Sequence, residues 1–444
     1  MRPIAIVSTV CLVLGLASLA TAQHDVFIWV GTTGANGDKW LQGGNWNGPP
    51  ATQYPGLPGA PATNNGGAAN DEADFGAVLP STLAVGIDMS LGSGNFANQF
   101  LQLGGISFQN NTNSLAIGNN STTVSGVLQL NGTALPVNGT SFNNVILSNT
   151  STSQILTLQD QADGGTQTMT LSVPSASRVF TNSGATTVIS IPISGAGSIT
   201  HYGAGTLALS GASTYSAGTV VEQGTLQVTN ASGSATGTGT VSVASGATLS
   251  GTGALIPNTG TTAGNTVAVS GTLQPGTNAA TGTLTVGSPT TSATASLNSG
   301  STYRWTVSNA GNPSTVAGGS STTSVQSNLV VNGDLTFTPG SFEIVGLGST
   351  GFDNTQPYSW RVATGTGSVS IGSSQPTFST VGLNGGSGSF FLSSDPGAVF
   401  LNFAPSPSPE PATILFVCTA AFGVVHRLRR HHATSPAKTA RLSP

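Results

Sequence analysis

Cysteine is nearly absent. The 444-residue chain has two, Cys11 and Cys418, and both sit in apolar runs at its ends. The body between them has no disulfide and no thiol chemistry, so backbone pairing and apolar stacking must stabilise it. Charge is also scarce, at 5% of residues. Between His24 and Glu410 the basic residues are Lys39, Arg178, Arg304 and Arg361, against all 14 acidic residues of the chain, a net of −10. That balance excludes nucleic acid as a partner, because binding it needs a basic surface. Histidine is thin as well: His201 alone lies well inside the body, with His24 near its start. A Ser-His-Asp arrangement would need a carboxylate from far along the chain, and no Gly-x-Ser-x-Gly elbow sits on a strand–helix turn. A His/Cys metal cluster cannot be assembled from these counts. No cofactor is expected, and His201 reads as an ordinary strand residue.

What is present is glycine, 61 of 444 residues, about twice the usual share of roughly 7%. Ser, Thr and Asn interleave with Val, Leu and Ile. Helical periodicity is missing between residues 24 and 403. Period-two runs recur instead, such as Gly126-Val-Leu-Gln-Leu130, Gln154-Ile-Leu-Thr-Leu158, Thr168-Met-Thr-Leu-Ser-Val173 and Thr187-Val-Ile-Ser-Ile191. Bounded by Gly, Asn and Ser, they predict many short strands.

One unit repeats through the middle. It appears as Gly205-Thr-Leu-Ala-Leu-Ser210, Gly224-Thr-Leu-Gln-Val-Thr229, Gly239-Thr-Val-Ser-Val-Ala244, Gly271-Thr-Leu-Gln274 and Gly282-Thr-Leu-Thr-Val286. The starts are 19, 15, 32 and 11 residues apart. Such irregular spacing fits rungs of a β-solenoid with variable turns better than propeller blades. Leu207, Leu209, Leu226 and Val228 should then point inward, with Thr and Gln outward. A β-sandwich of similar strands is the alternative.

Residues 203–229 resemble an autotransporter-associated β-strand repeat. The matching features are Gly203-Ala-Gly-Thr-Leu207, the Thr214-Tyr215 step, the Gly218-Thr219 return and the second strand at Gly224-Thr225-Leu226. The resemblance covers about residues 200–255 and implies an all-β, right-handed parallel β-helix of the passenger type. It does not imply an autotransporter. Those chains end in an outer-membrane barrel of many alternating strands, whereas this one ends in a single short apolar run.

Both ends carry address-like patterns. Residues 1–22 have a basic start, an apolar run from Ile4 to Leu19 and a small-x-small site at Ala20-Thr21-Ala22, which reads as a secretory signal peptide. Residues 404–444 hold a Pro/Ser linker, Pro409-Glu410-Pro411, an apolar segment over 412–425 and a basic cluster with Arg427, Arg429 and Arg430. This tail resembles a PEP-CTERM sorting signal. The resemblance implies an exosortase-type processing enzyme as partner, with Pro409, Glu410 and Pro411 as its recognition site. It also implies a bacterial surface or extracellular-matrix destination. The segment would be a short C-terminal transmembrane helix in the precursor. Its length falls below the roughly 20 residues of a permanent span, which suits a transient one.

Candidate binding residues are aromatic. Trp29, Trp40 and Trp46 precede a Pro/Gly-rich loop. They read as a cap on the open solenoid end, in preference to a platform stacking on sugar rings. Tyr303-Arg304-Trp305 and Tyr358-Ser-Trp360-Arg361 each set Tyr and Trp two apart, on one strand face beside an Arg. A sugar platform using cation–π contact is one reading; cross-strand packing in a C-terminal β-region is the favoured one. Polysaccharide-cleaving β-helices need clustered carboxylates and a basic partner. Between residues 200 and 330 the only acid is Glu222 and the only Lys or Arg is Arg304. Asp160/Asp163 and Asp71/Glu72/Asp74 read as turn formers, with a Ca²⁺ site at the second group as the rarer alternative.

The chain therefore divides into a signal peptide (1–22), an N-terminal β-rich region with a Trp cap (23–195), the repeat region (196–294), a C-terminal β-region (295–403) and the sorting tail (404–444). The expected product is an exported, non-enzymatic structural or adhesive protein. A polysaccharide-binding module is the competing reading, and a carbohydrate-active β-helix enzyme ranks last.

Overall fold

The computed structural model describes most of residues 100–407, apart from short interruptions, together with the strands Val26–Trp29, Trp46–Asn47, Glu72–Phe75 and Leu83–Ile87. Among the described residues all regular structure is β. Strands form sheets of 14, 12, 6 and 4 members. The pairing is parallel except at the two ends of the coil and at two local hairpins.

The chain visits the sheets in rotation. Ser177–Thr181 lies in the 14-stranded sheet, Thr186–Ile189 in the 12-stranded one and Ile193–Ser194 in the 4-stranded one. Ile199–Tyr202 then returns to the first sheet and pairs in parallel with Ser177–Thr181. This is the path of a three-sided β-solenoid. In its C-terminal half the third side is rebuilt from Ala254–Leu255, Thr283–Val286, Asn328–Val331 and Tyr358–Gly365.

Register makes columns of like residues. On the 12-stranded sheet Leu156, Thr187, Leu207, Leu226, Leu249, Leu273, Tyr303 and Phe342 stack one above another. All face the interior and are buried. The adjacent outward column reads Thr186, Thr206, Thr225, Thr248, Thr272, Thr302, Ser341 and Thr377. Alternation along each strand thus separates a dry aliphatic column from a hydroxyl column. Leu207, Leu209, Leu226 and Val228 point inward as the pattern predicts.

The irregular spacing of the Gly-Thr motif has a geometric cause. Gly205, Gly224 and Gly271 lead into strands of the 12-stranded sheet, Gly239 into the 14-stranded one and Gly282 into the third side. The copies are corners of the coil, not one per rung. The rung between Gly224 and Gly271 enters at Thr248-Leu249, behind Gly246-Ala247.

The coil does not stop at residue 294. Two of its sides run on in parallel to Val369–Ile371 and Thr377–Val381. Antiparallel pairing then ends the stack, with Ala398–Ala404 between Tyr358–Gly365 and Ser389–Asp395. At the opposite end Val26–Trp29 pairs antiparallel with Trp46–Asn47.

Candidate functional site

The repeat region shows how its motif residues work. Between Leu209 and Thr219 the third side has no strand, and the chain turns through Ser213, Thr214 and Tyr215. Ser213 makes an isolated bridge to Ser234, and the Thr214 amide donates to the Ile193 carbonyl at 2.7 Å. Tyr215 is fully buried and fills the core there. Its hydroxyl pairs with that of Thr219, an inward residue stacked between Ile199 and Val241. The Tyr and the Thr of the motif satisfy each other inside an apolar core, as buried polar groups must. Gly224 adopts φ of 67°, and a Cβ there would come within 2.4 Å of the carbonyls of Gly203 and Gly205. The glycine is needed because adjacent corners touch through their backbones.

Residues 199–228 match the family model of the passenger-associated transport repeat (PATR). The chain carries this repeat where the Tyr215–Thr219 corner lies, and the matched residues sit within parallel coils. No curated protein matches the chain.

His201 occupies the inward column Val179–His201–Val221–Val243 and is fully buried. Neither ring nitrogen has a hydrogen-bond partner. Burial lowers its pKa to about 4, opposed by the nearby Gln223 backbone, which does not reach hydrogen-bond geometry. It is a neutral core imidazole with no carboxylate beside it.

The later aromatics do not form a surface platform. Tyr303, Trp305, Tyr358 and Trp360 are all buried, and each polar handle is spent internally. Tyr303 donates to the Val362 carbonyl at 2.8 Å, Trp305 to Ser327 at 3.0 Å and Trp360 to Ala310 at 2.8 Å. The Tyr358 hydroxyl accepts from the Asp353 amide at 3.1 Å. Trp305 and Trp360 lie 5.4 Å apart, and Tyr358 stacks on Trp360 at 5.0 Å. The alternation puts each Tyr/Trp pair inward and each Arg outward. Arg304 therefore binds Glu343 of the next rung at 2.7 Å and donates to Asn278, away from both rings. As sugar contacts these four residues are corrected to core residues.

Trp29 and Trp46 stand opposite each other on the antiparallel pair at the N-terminal edge. Trp40, Asp71 and the sorting residues Pro409, Glu410, Pro411, Arg427, Arg429 and Arg430 lie outside the described residues, as do the signal peptide and the apolar segment 412–425. Among the described residues no helix is long and apolar enough to cross a membrane.

Carboxylates gather weakly. Glu72 and Asp74 share the outward face of one strand, and Asp74 accepts from Ser107 at 2.7 Å and from Gln109 at 3.2 Å. Burial raises Glu72 to about 7; the Ser107 hydroxyl opposes this and the Asp74 charge adds to it. Asp160 accepts from the Met169 amide, a backbone role. Among the described residues no group of three His, Cys, Asp or Glu could hold a metal ion.

Phe352 was missed by the sequence reading. It lies in a connection, not a strand, and its ring contacts Tyr358, Trp360, Phe390 and Phe403 while the residue stays only partly buried. The available signal was an aromatic set among turn formers, Gly351-Phe352-Asp353-Asn354.

Proposed function

We propose that this is an exported, non-enzymatic surface or extracellular-matrix protein whose solenoid serves as a structural or adhesive spacer. The observation carrying the reading is the passenger-type repeat built into two long parallel sheets of the coil. A repeat of this kind implies an exported surface protein. The outward Thr/Ser column and the low charge suit a weakly interacting, hydrated rod. The two terminal patterns complete the proposal. The signal peptide directs export, and the Pro409-Glu410-Pro411 tail is handed to an exosortase-type enzyme while 412–425 spans the membrane transiently.

An epitope inserted after Gly246, an exposed turn with open space around it, tests the proposal in source cells. Protease added to intact cells should remove the epitope, and Glu410→Ala should change the split between membrane and released fractions. An epitope protected until lysis contradicts export to the surface. An unchanged split contradicts tail-directed sorting.

Extracellular polysaccharide is the partner class of the second reading, which a cleft at the C-terminal end of the coil favours.

A further inference from the structure

At the end of the coil, two connections that follow stacked parallel strands face each other. One follows Ser341–Gly346 and the other follows Thr377–Val381. Between them lies an open cleft of about 460 Å³, whose lining includes Thr350, Phe352, Asp353, Asn354 and Asn384. Its volume falls within the usual range of ligand sites, about 300–1,000 Å³.

Thr350 Oγ1 accepts from the Phe352 amide at 3.3 Å, and the other three polar side chains of the cleft are half committed. Asp353 Oδ1 accepts from the Thr355 amide at 2.9 Å and its hydroxyl at 2.7 Å, which leaves Oδ2 open. Asn354 Nδ2 donates to the Asn384 carbonyl at 3.3 Å, which leaves Oδ1 open. Asn384 Oδ1 accepts from the Gly386 amide at 2.9 Å, which leaves Nδ2 open. One end of each group is fixed by the loops and the other is free, on residues that line the cleft. Fixing polar groups before binding lowers the entropy cost of engaging a ligand. The loops are themselves anchored, because the Asp353 amide donates to buried Tyr358. Phe352 rests on the Tyr358–Trp360 stack, is partly buried, and lines the cleft.

We infer that this cleft binds a short segment of a neutral polysaccharide. Two open acceptors and one open donor match sugar hydroxyls, which both donate and accept. Phe352 suits the C–H face of a pyranose. The Asp353 carboxylate and the acidic body disfavour uronate or sulfated chains. Burial of Tyr303, Trp305, Tyr358 and Trp360 moves aromatic recognition from strands to Phe352, with Tyr358 and Trp360 as its positioning residues. The inference rests on the reading of this chain as a surface protein and names what that surface would hold.

The test titrates the full chain with cellohexaose, laminarihexaose and chitohexaose, with oligogalacturonate as the acidic comparison. Asp353→Asn and Asn384→Asp keep the internal acceptor oxygens, so their thermal unfolding should stay near the parent; Phe352→Leu is smaller and loses ring contacts, so its binding is read beside theirs. At least one neutral hexamer should bind, weaken tenfold or more in each variant, and stay unchanged in Thr225→Ser, far from the cleft. The inference is overturned if no neutral hexamer binds, if the three variants bind like the parent, or if oligogalacturonate binds equally well. Surface exposure without saccharide binding removes this inference alone. Saccharide binding by a protein that stays inside cells removes the surface reading alone.

Discussion

The middle of the coil and its C-terminal end solve the same packing problem with different side chains. From Leu207 to Leu273 the inward column is Leu on every rung, and the neighbouring column is Leu, Val or Gly. From Tyr303 onward the same positions hold Tyr303 and Phe342, with Trp305 and Ile344 beside them. Uniform small side chains let rungs repeat, because each coil accepts another like itself. Large aromatics gather towards the end of the stack, where Trp305, Phe337, Phe342, Trp360 and Phe403 are all buried. The turn to antiparallel pairing coincides with that change. The middle therefore sets length, and at the end Phe352 comes partly to the surface.

Replacing Trp360 with Ala should have the largest effect, about 3–5 kcal/mol. It removes contacts to Trp305, Tyr358 and Phe352 and a hydrogen bond to Ala310. Hydrogen exchange should rise over 301–404 while residues 199–251 keep their protection. Equal loss across both regions would show that the two are not separable. In the middle, Leu226→Ala should cost about 2–5 kcal/mol, felt mostly in the adjoining rungs around Leu207 and Leu249; exchange mapping reads this too.

His201 gives the middle a pH dependence in mildly acidic solution. Its folded pKa, about 4, lies below its unfolded value of 6.5. Between those values the unfolded chain binds the extra proton, so stability falls as pH drops from 6.5 to 4 and levels off below. The loss is roughly 3 kcal/mol at about 1.36 kcal/mol per unit. Denaturant titrations should show His201→Leu lacking this fall. At neutral pH the variant should be about 1–3 kcal/mol more stable, because an unpartnered buried group is gone. The smallest effect belongs to Arg304→Ala. Its pair with Glu343 is partly exposed, so the loss should stay at or below about 1 kcal/mol and shrink further in salt.

The strands and the inward residues of the repeat were legible because alternation has a period of two and the interior is dry. Which side of the solenoid each Gly-Thr motif begins was not legible, since the same corner chemistry serves all three sides. The direction of Tyr303/Trp305 and Tyr358/Trp360 was not legible either. Spacing of two places a Tyr and a Trp on one face without saying which face is inside. The lone arginine beside each pair suggested a surface, yet Arg304 points outward because its neighbours point inward. Phe352 escaped because loops carry no period, and its role depends on a partner loop some thirty residues away, at Gly382–Asn384. The Thr214-Tyr215 step was visible as a motif, but its reason, a buried Tyr–Thr pair, needed the structure.

The central claim is that the middle is a stack of interchangeable rungs. Thr206 and Thr225 occupy equivalent positions on successive rungs, so residues 206–224 form one transferable unit. A full chain carrying three extra tandem copies of that unit should fold cooperatively. By small-angle scattering it should be longer by about 14 Å, at roughly 4.8 Å per added strand. A chain that fails to fold, or folds without lengthening, would contradict the account.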